Sequence, residues 1–296
     1  MFTAVSLGIF EGKRPSGVGV PQLLDACVSL GLLEKRGREY FNTSVADTYL
    51  RRASPWSLTG YIWYSDVAVF RLWANLENAI LSGSNQWTQT FGESGRAIRE
   101  SVAVSEEFMR GMHGIGMTTS PAVVQAFDLS SYRCLLDLGG ATGHFAVAAR
   151  RRYPALRAIV FDVPSVVQMA AKEAHDGIEF IAGDFCTDPL PPADLIALGR
   201  VLHHRSEQLI VELLSRVYER LPAGGGLLVI ERIVDDVSGG SVDAHMHSLN
   251  MLVCTDGGRE RTFEEYEALL EQAGFSDIRV CVTSTSLDVV MATKPT

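Results

Sequence analysis

Two hydrophobic rhythms divide the chain near residue 127. Upstream, apolar side chains recur at helical spacing, as in Leu23, Leu24, Ala26, Cys27 and Leu30, and again in Val69, Leu72, Trp73, Leu76 and Ile80. Helices therefore carry the first part. Leu32 to Phe41 is the exception: two short apolar pieces flank a charged turn containing Gly37, the pattern of a two-stranded wing. The stretch from Gly12 to Gly19, with Pro15 and Gly17 inside it, breaks any helix. Downstream of 127, short apolar runs alternate with helical stretches, which requires crossover connections and a mainly parallel sheet covered on both faces. Strands are expected at 134–138, 156–161, 178–182, 195–198 and 226–230, and helices at 143–152, 165–174 and 206–221. The runs 278–283 and 287–293 flank Ser284-Thr285-Ser286, so the sheet should finish in an antiparallel hairpin. The fold class is α/β, with a mainly helical, winged-helix-like domain over 1–126 and a sheet domain over 127–296.

Composition narrows the function classes. With 296 residues, 47% hydrophobic and 21% charged, the chain can bury two ordinary cores, and disorder is excluded. A net charge of -9 lacks the basic footprint that a phosphate backbone needs, so no nucleic-acid partner is expected. No run approaches the roughly 20 apolar residues of a membrane span, and the first residues lack the charged region of a signal peptide. A cytoplasmic protein without a membrane partner is the expectation. The 5 cysteines are scattered without a C-x-x-C pair, which argues against a disulfide framework or zinc knuckle. His245 and His247 are spaced so that their rings leave a helix on different sides, and no metal site is expected.

The most informative stretch is Leu135-Leu136-Asp137-Leu138-Gly139-Gly140-Ala141-Thr142-Gly143-His144-Phe145, between the first sheet strand and its helix. Small residues there let a ligand approach backbone N–H groups and a helix N-terminus. Neither register of the glycines satisfies G-x-G-x-x-G, and no Gly-Lys-Ser/Thr follows, so neither a dinucleotide fingerprint nor a P-loop is present. The second strand ends in Phe161-Asp162-Val163-Pro164, where a carboxylate can grip a ribose diol, and the third ends in Gly183-Asp184-Phe185. Three consecutive strands thus deliver a glycine turn and two acids to one sheet edge, the place where open α/β sheets bind nucleoside-like ligands.

These residues resemble the cofactor motifs of S-adenosylmethionine-dependent methyltransferases, and more narrowly the small-molecule O-methyltransferases of the plant caffeate and acetylserotonin type. Asp128-Leu129-Ser130, Asp188-Pro189-Leu190-Pro191, Arg200-Val201-Leu202-His203, Ser248-Leu249-Asn250-Met251-Leu252 and Gly258-Arg259-Glu260-Arg261-Thr262 extend the likeness nearly end to end. The resemblance implies a class I methyltransferase, Rossmann-like sheet with an N-terminal dimerisation domain, a homodimer, and a small hydroxylated aromatic substrate. It implies cofactor contacts from Gly139, Gly140, Asp162, Val163, Gly183, Asp184, Phe185 and Arg200. By the same likeness His203 is the general base, flanked by Glu231 and Glu260, and Met109, Met112, His204, Asn250 and Met251 line the substrate. The chemistry suits an imidazole: a phenol with pKa near 10 must lose its proton as it attacks, and a carboxylate-held imidazole can accept it.

Several positions depart from the family pattern. His203-His204-Arg205 stands where His-Asp-Trp is usual, Gly199 where many members have lysine, and Ala141 in place of a motif glycine, which a negative φ would accommodate. Cys254 and Gly116 replace a glutamine and a tryptophan of the acetylserotonin enzymes, and relatives begin further upstream with a full helix-turn-helix in place of Gly12–Gly19. Two other outcomes remain compatible with this chain: the same cofactor pocket serving C-methylation or another non-O-methylating reaction, or a non-catalytic protein of the same fold.

Overall fold

Helical spacing in the first part places Leu24 and Cys27 on the inner face of the helix Val20–Ser29, where they join Ala4, Ile9, Phe10, Leu33, Ala46, Leu50 and Ile62 in one core. The computed structural model describes residues 1–94, 98, 101–171, 177–235 and 241–296. This core belongs to the first of two compact units, Met1–Arg71 with Glu93–Met117. Pro21 opens the helix, where its missing N–H has no cost. The wing forms as expected, β1 (Leu33–Arg36) pairing antiparallel with β2 (Glu39–Asn42) around Gly37 at φ 63. In the same unit the helix Thr59–Tyr64 and the part of the helix Val102–Val123 that precedes residue 118 meet almost backbone to backbone. A Cβ at Gly60 would lie 2.3 Å from the Glu107 carbonyl oxygen, and one at Gly111 would lie 2.4 Å from the Tyr61 nitrogen. Glycine is a packing requirement at that crossing.

The second unit, Leu72–Gly92 with Thr118–Thr296, holds a seven-stranded sheet. Its strands are β3 (Cys134–Leu138), β4 (Arg157–Asp162), β5 (Ile178–Ala182), β6 (Leu195–Gly199), β7 (Gly226–Glu231), β10 (Ser276–Cys281) and β11 (Asp288–Thr293), in the order β10-β11-β7-β6-β3-β4-β5. Two short strands, β8 (Ile233–Val234) and β9 (Arg261–Thr262), pair separately. β3 to β7 run parallel and the last two antiparallel, as the apolar runs predict, with ends displaced by a residue or two. Strand alternation divides the core by face. Leu136 and Leu138 pack toward Ile210, Leu214 and Leu270, and Leu135 toward Phe145, Ala146 and Ala149. From β3 the chain steps outward to β4 and β5, then returns to β6 on the other side of β3. That reversal opens a crevice above the strand tips.

The expected helix 165–174 is seen as Pro164–Ala170, and positions 172–174 lie outside the described residues. Residues 72–92, assigned by periodicity to the helical part, belong to the sheet-containing unit. The physical reason is polar as well as apolar: Trp73 Nε1 donates to Asn250 Oδ1 (2.9 Å), Trp87 Nε1 to the Cys254 carbonyl (2.9 Å), and Gln86 N to the Val253 carbonyl (2.9 Å). Among the described residues, no helix is long and apolar enough to cross a membrane.

Candidate active site

The glycine turn after β3 is wound by left-handed residues, Gly139 at φ 69 and Gly143 at φ 76. Ala141 also adopts φ 56, contrary to the negative value expected for an alanine there. Its N–H donates to Asp162 Oδ2 at 3.0 Å, and this bond helps offset the roughly 1–2 kcal/mol that a Cβ costs in this region. Asp162, nearly buried at the tip of β4, also accepts from Val163 N at 2.7 Å, so one carboxylate clamps the turn to the neighbouring strand. Gly139 leaves a cradle: a Cβ there would sit 3.1 Å from Val201 Cγ2 and 3.4 Å from Phe185 Cε1. Gly183 has a packing cause, since its Cβ would fall 2.3 Å from Phe161 Cζ. Asp184 is exposed and accepts from Cys186 N at 2.8 Å, a local turn contact. The Arg205 guanidinium lies 5.1 Å from the centroid of the Phe185 ring, a cation–π separation.

Asp137 sits under this turn. It is buried, its Oδ2 has no hydrogen-bond partner among the described residues, and a Cβ on Gly140 would lie 2.5 Å from its Cγ. Burial, reinforced by the nearby Asp162 charge, pushes its carboxyl up to about 7. Between the ordinary value of 3.8 and about 7 the folded protein holds a proton that the unfolded chain has lost, so Asp137 stabilises the fold at low pH and this contribution is lost as pH rises through 7. Asp137→Asn, neutral throughout, is expected to match the wild type near pH 4 and to exceed its stability at pH 8 by roughly 2–4 kcal/mol. Urea unfolding of the ligand-free protein at the two pH values measures this. Equal deficits or gains at both would remove the buried-acid account.

The second constellation lies beyond β6. Leu202–His204 forms a 3-10 turn, and the His203 ring is fully buried. Its Nδ1 lies 2.9 Å from Glu231 Oε2 and 3.1 Å from Glu260 Oε1, close enough for ion pairing although the angles miss those of directed hydrogen bonds. Its Nε2 has no partner among the described residues. Glu231 Oε1 accepts from Leu202 N at 2.8 Å, so the acid at the end of β7 holds both the turn and the ring. Burial opposes the charge on His203, but Glu231 and Glu260 outweigh it and raise the imidazole to about 9. Burial would raise Glu260, yet the two imidazoles beside it bring its carboxyl down to about 2. Burial and the neighbouring positive charges hold His204 well below its ordinary 6.5, and its ring meets that of His203 edge-on at 4.3 Å.

His247, set aside on spacing alone, finds its partner across the fold. Its Nδ1 lies 2.6 Å from Glu260 Oε1. His203, His247 and Glu260 each offer a ligand atom within 4.8 Å of the others, so a metal-type donor set exists where His245 and His247 alone suggested none. The two Nδ1 contacts to Glu260 are at hydrogen-bond separations. Arg200 follows β6 with φ 58, and its N–H donates to the Ile230 carbonyl. Asn250 is oriented by Trp73, and Met251 is buried in the same helix, Val242–Cys254. Met109 and Met112 lie in the other unit, half-buried and buried respectively. Sequence reasoning missed Asp137, His247 and Arg261. For Asp137 and Arg261 the available signal was an ionisable residue inside an otherwise apolar run or beside a candidate acid; for His247 it was absent.

The O-methyltransferase domain family matches residues 73–276. The chain is 39% identical over 324 aligned residues to the acetylserotonin O-methyltransferase of Bos taurus, which spans 99% of this chain and 93% of that protein. It is 35% identical to the tetracenomycin polyketide synthesis 8-O-methyl transferase of Streptomyces glaucescens, with 94% of this chain and 83% of that one covered. The crystal structure of human N-acetylserotonin methyltransferase in complex with S-adenosylmethionine superposes with a TM-score of 0.93 at 37% identity, over 100% of this chain and 93% of that one. A match of this extent shows that the chain belongs to the O-methyltransferase family.

Proposed function

We propose that the protein methylates a phenolic hydroxyl of a small aromatic molecule, with S-adenosylmethionine as donor, His203 as general base, and Glu231 and Glu260 orienting its ring. The cradle at Gly139, which a single Cβ would fill, and the Asp162 carboxylate at the adjacent strand tip suit an adenosyl ligand. Gly139, Gly140, Asp162, Val163, Phe185 and Arg200 are the residues that would hold it, with Gly183 and Asp184 shaping the next tip. Bound there, the cofactor supplies an electrophilic methyl group on a sulfonium. The single observation that carries the reading is His203: a buried imidazole whose Nδ1 faces two carboxylates while Nε2 has no partner among the described residues.

Proton acceptance requires the neutral ring, with Nδ1–H toward the glutamates and the Nε2 lone pair free. In the ligand-free protein the glutamates favour the imidazolium up to about 9, and a second cation above the strand tips would oppose that charge and release the base nearer neutrality. The names of the relatives, one acting on acetylserotonin and one in tetracenomycin synthesis, support a hydroxylated aromatic acceptor. Cys254 stands close to Asn250, its Sγ 3.8 Å from Oδ1, so a thiol borders the residue proposed to meet the acceptor. A homodimer is part of the same reading, supported by large apolar side chains left exposed, among them Phe70, Ile80 and Leu81. Incubating the protein with S-adenosylmethionine and a panel of phenols and hydroxyindoles should yield O-methylated products by mass and NMR. Methyl groups found only on carbon, or no product despite bound cofactor, would overturn the reading.

A further inference from the structure

Arg261 is among the largest fully buried side chains of the protein, and it makes no ion pair among the described residues. Its two Nη nitrogens are spent on backbone, while its Nε has no hydrogen-bond partner among the described residues. Nη2 donates to the Arg205 carbonyl at 3.0 Å, and Nη1 to the carbonyls of Arg259 at 3.1 Å and Leu202 at 3.5 Å. Leu202 and Arg205 bracket the turn that carries His203, and Arg259 precedes Glu260. One planar fork therefore ties the base's turn to the segment bearing the glutamate that faces it. Its own backbone is fixed independently: β9 pairs with β8, so Arg261 lies opposite Ile233, two residues beyond Glu231. The same two segments touch again at Gly258, where a Cβ would stand 2.5 Å from the His203 carbonyl oxygen. A buried guanidinium used this way is costly unless its hydrogen bonds are retained.

We infer that Arg261 is the positioning residue of the reaction: its guanidinium sets the spacing between His203 and Glu260 without touching substrate or cofactor. The inference rests on His203 being the base. Lysine keeps the charge but cannot span three carbonyls with a planar fork, and misplacement of a catalytic group by about 1 Å can cost 10²-fold. Arg261→Lys is therefore expected to lower kcat by about 10²-fold while KM for S-adenosylmethionine and calorimetric affinity for S-adenosylhomocysteine stay near wild type. The retained affinity also shows that the variant is folded. The decisive measurement is the cycle with His203→Ala: if Arg261 acts through the base, adding Arg261→Lys to His203→Ala costs little more. Equal, additive losses in both backgrounds, or an Arg261→Lys enzyme with wild-type kcat, would overturn the positioning role. A His203→Ala enzyme with wild-type kcat would instead overturn the base assignment, so the two failures are distinguishable.

Discussion

His203→Ala is expected to lower kcat by about 10²–10⁴-fold while leaving affinity for S-adenosylhomocysteine close to wild type. The asymmetry follows from placement. The glycine turn, Asp162 and Phe185 belong to the tips of β3 to β5, whereas His203 lies on the turn after β6, with its partners on β7 and in the segment before β9. Removing the imidazole leaves the strand tips intact and deletes the group that takes the acceptor's proton. It also leaves two buried carboxylates without the cation between them, so His203→Gln, which keeps a polar side chain there, serves as the companion variant. In the wild type, turnover at saturating cofactor should rise with pH as the ring is driven neutral, from below its resting value of about 9. In both variants that rise should disappear. Wild-type kcat in either, or an unchanged pH profile, would mean that the proton leaves by another route.

Much of the fold is legible in the apolar pattern, for reasons that particular elements make plain. β3, β4 and β6 are buried on both faces, so their residues form short, largely apolar runs, interrupted in β3 by Asp137, of the kind a covered parallel sheet explains. The wing around Gly37 and the terminal hairpin announce themselves through turn chemistry. The grouping of residues 72–92 with the sheet unit is not legible. Periodicity reports that a helix has an inner face, and the hydrogen bonds of Trp73 and Trp87 to the helix Val242–Cys254 decide what that face meets. The candidate site divides the same way. Asp162 closes an apolar strand, where a polar residue is conspicuous, whereas His203, Glu231 and Glu260 are legible only through the resemblance to the family. His247 acquires meaning only through a partner on another segment, and the left-handed Ala141 only through Asp162, because neither contact leaves a trace in local spacing.

Glu231→Gln tests the other half of the His203 arrangement, and its effect should be on stability. Glutamine keeps an oxygen for the Leu202 and His203 N–H groups, which Glu231 Oε1 receives at 2.8 and 3.4 Å. What it removes is the negative charge 2.9 Å from His203 Nδ1, in a site from which water is excluded. Breaking a buried pair by neutralising one member costs about 3–5 kcal/mol, because the remaining charge loses its compensation. The pH dependence identifies the charge concerned. His203 is raised from 6.5 to about 9 in the folded protein, so between these values the folded state holds a proton that the unfolded chain releases. The resulting stabilisation is complete below 6.5 and is lost as pH rises through about 9. Glu231→Gln should therefore show its full deficit at pH 6 and a much smaller one at pH 9.5, read as a converging pair of urea midpoints. A deficit of the same size at both would mean that Glu231 serves the turn through its backbone contacts alone, with no imidazolium to hold.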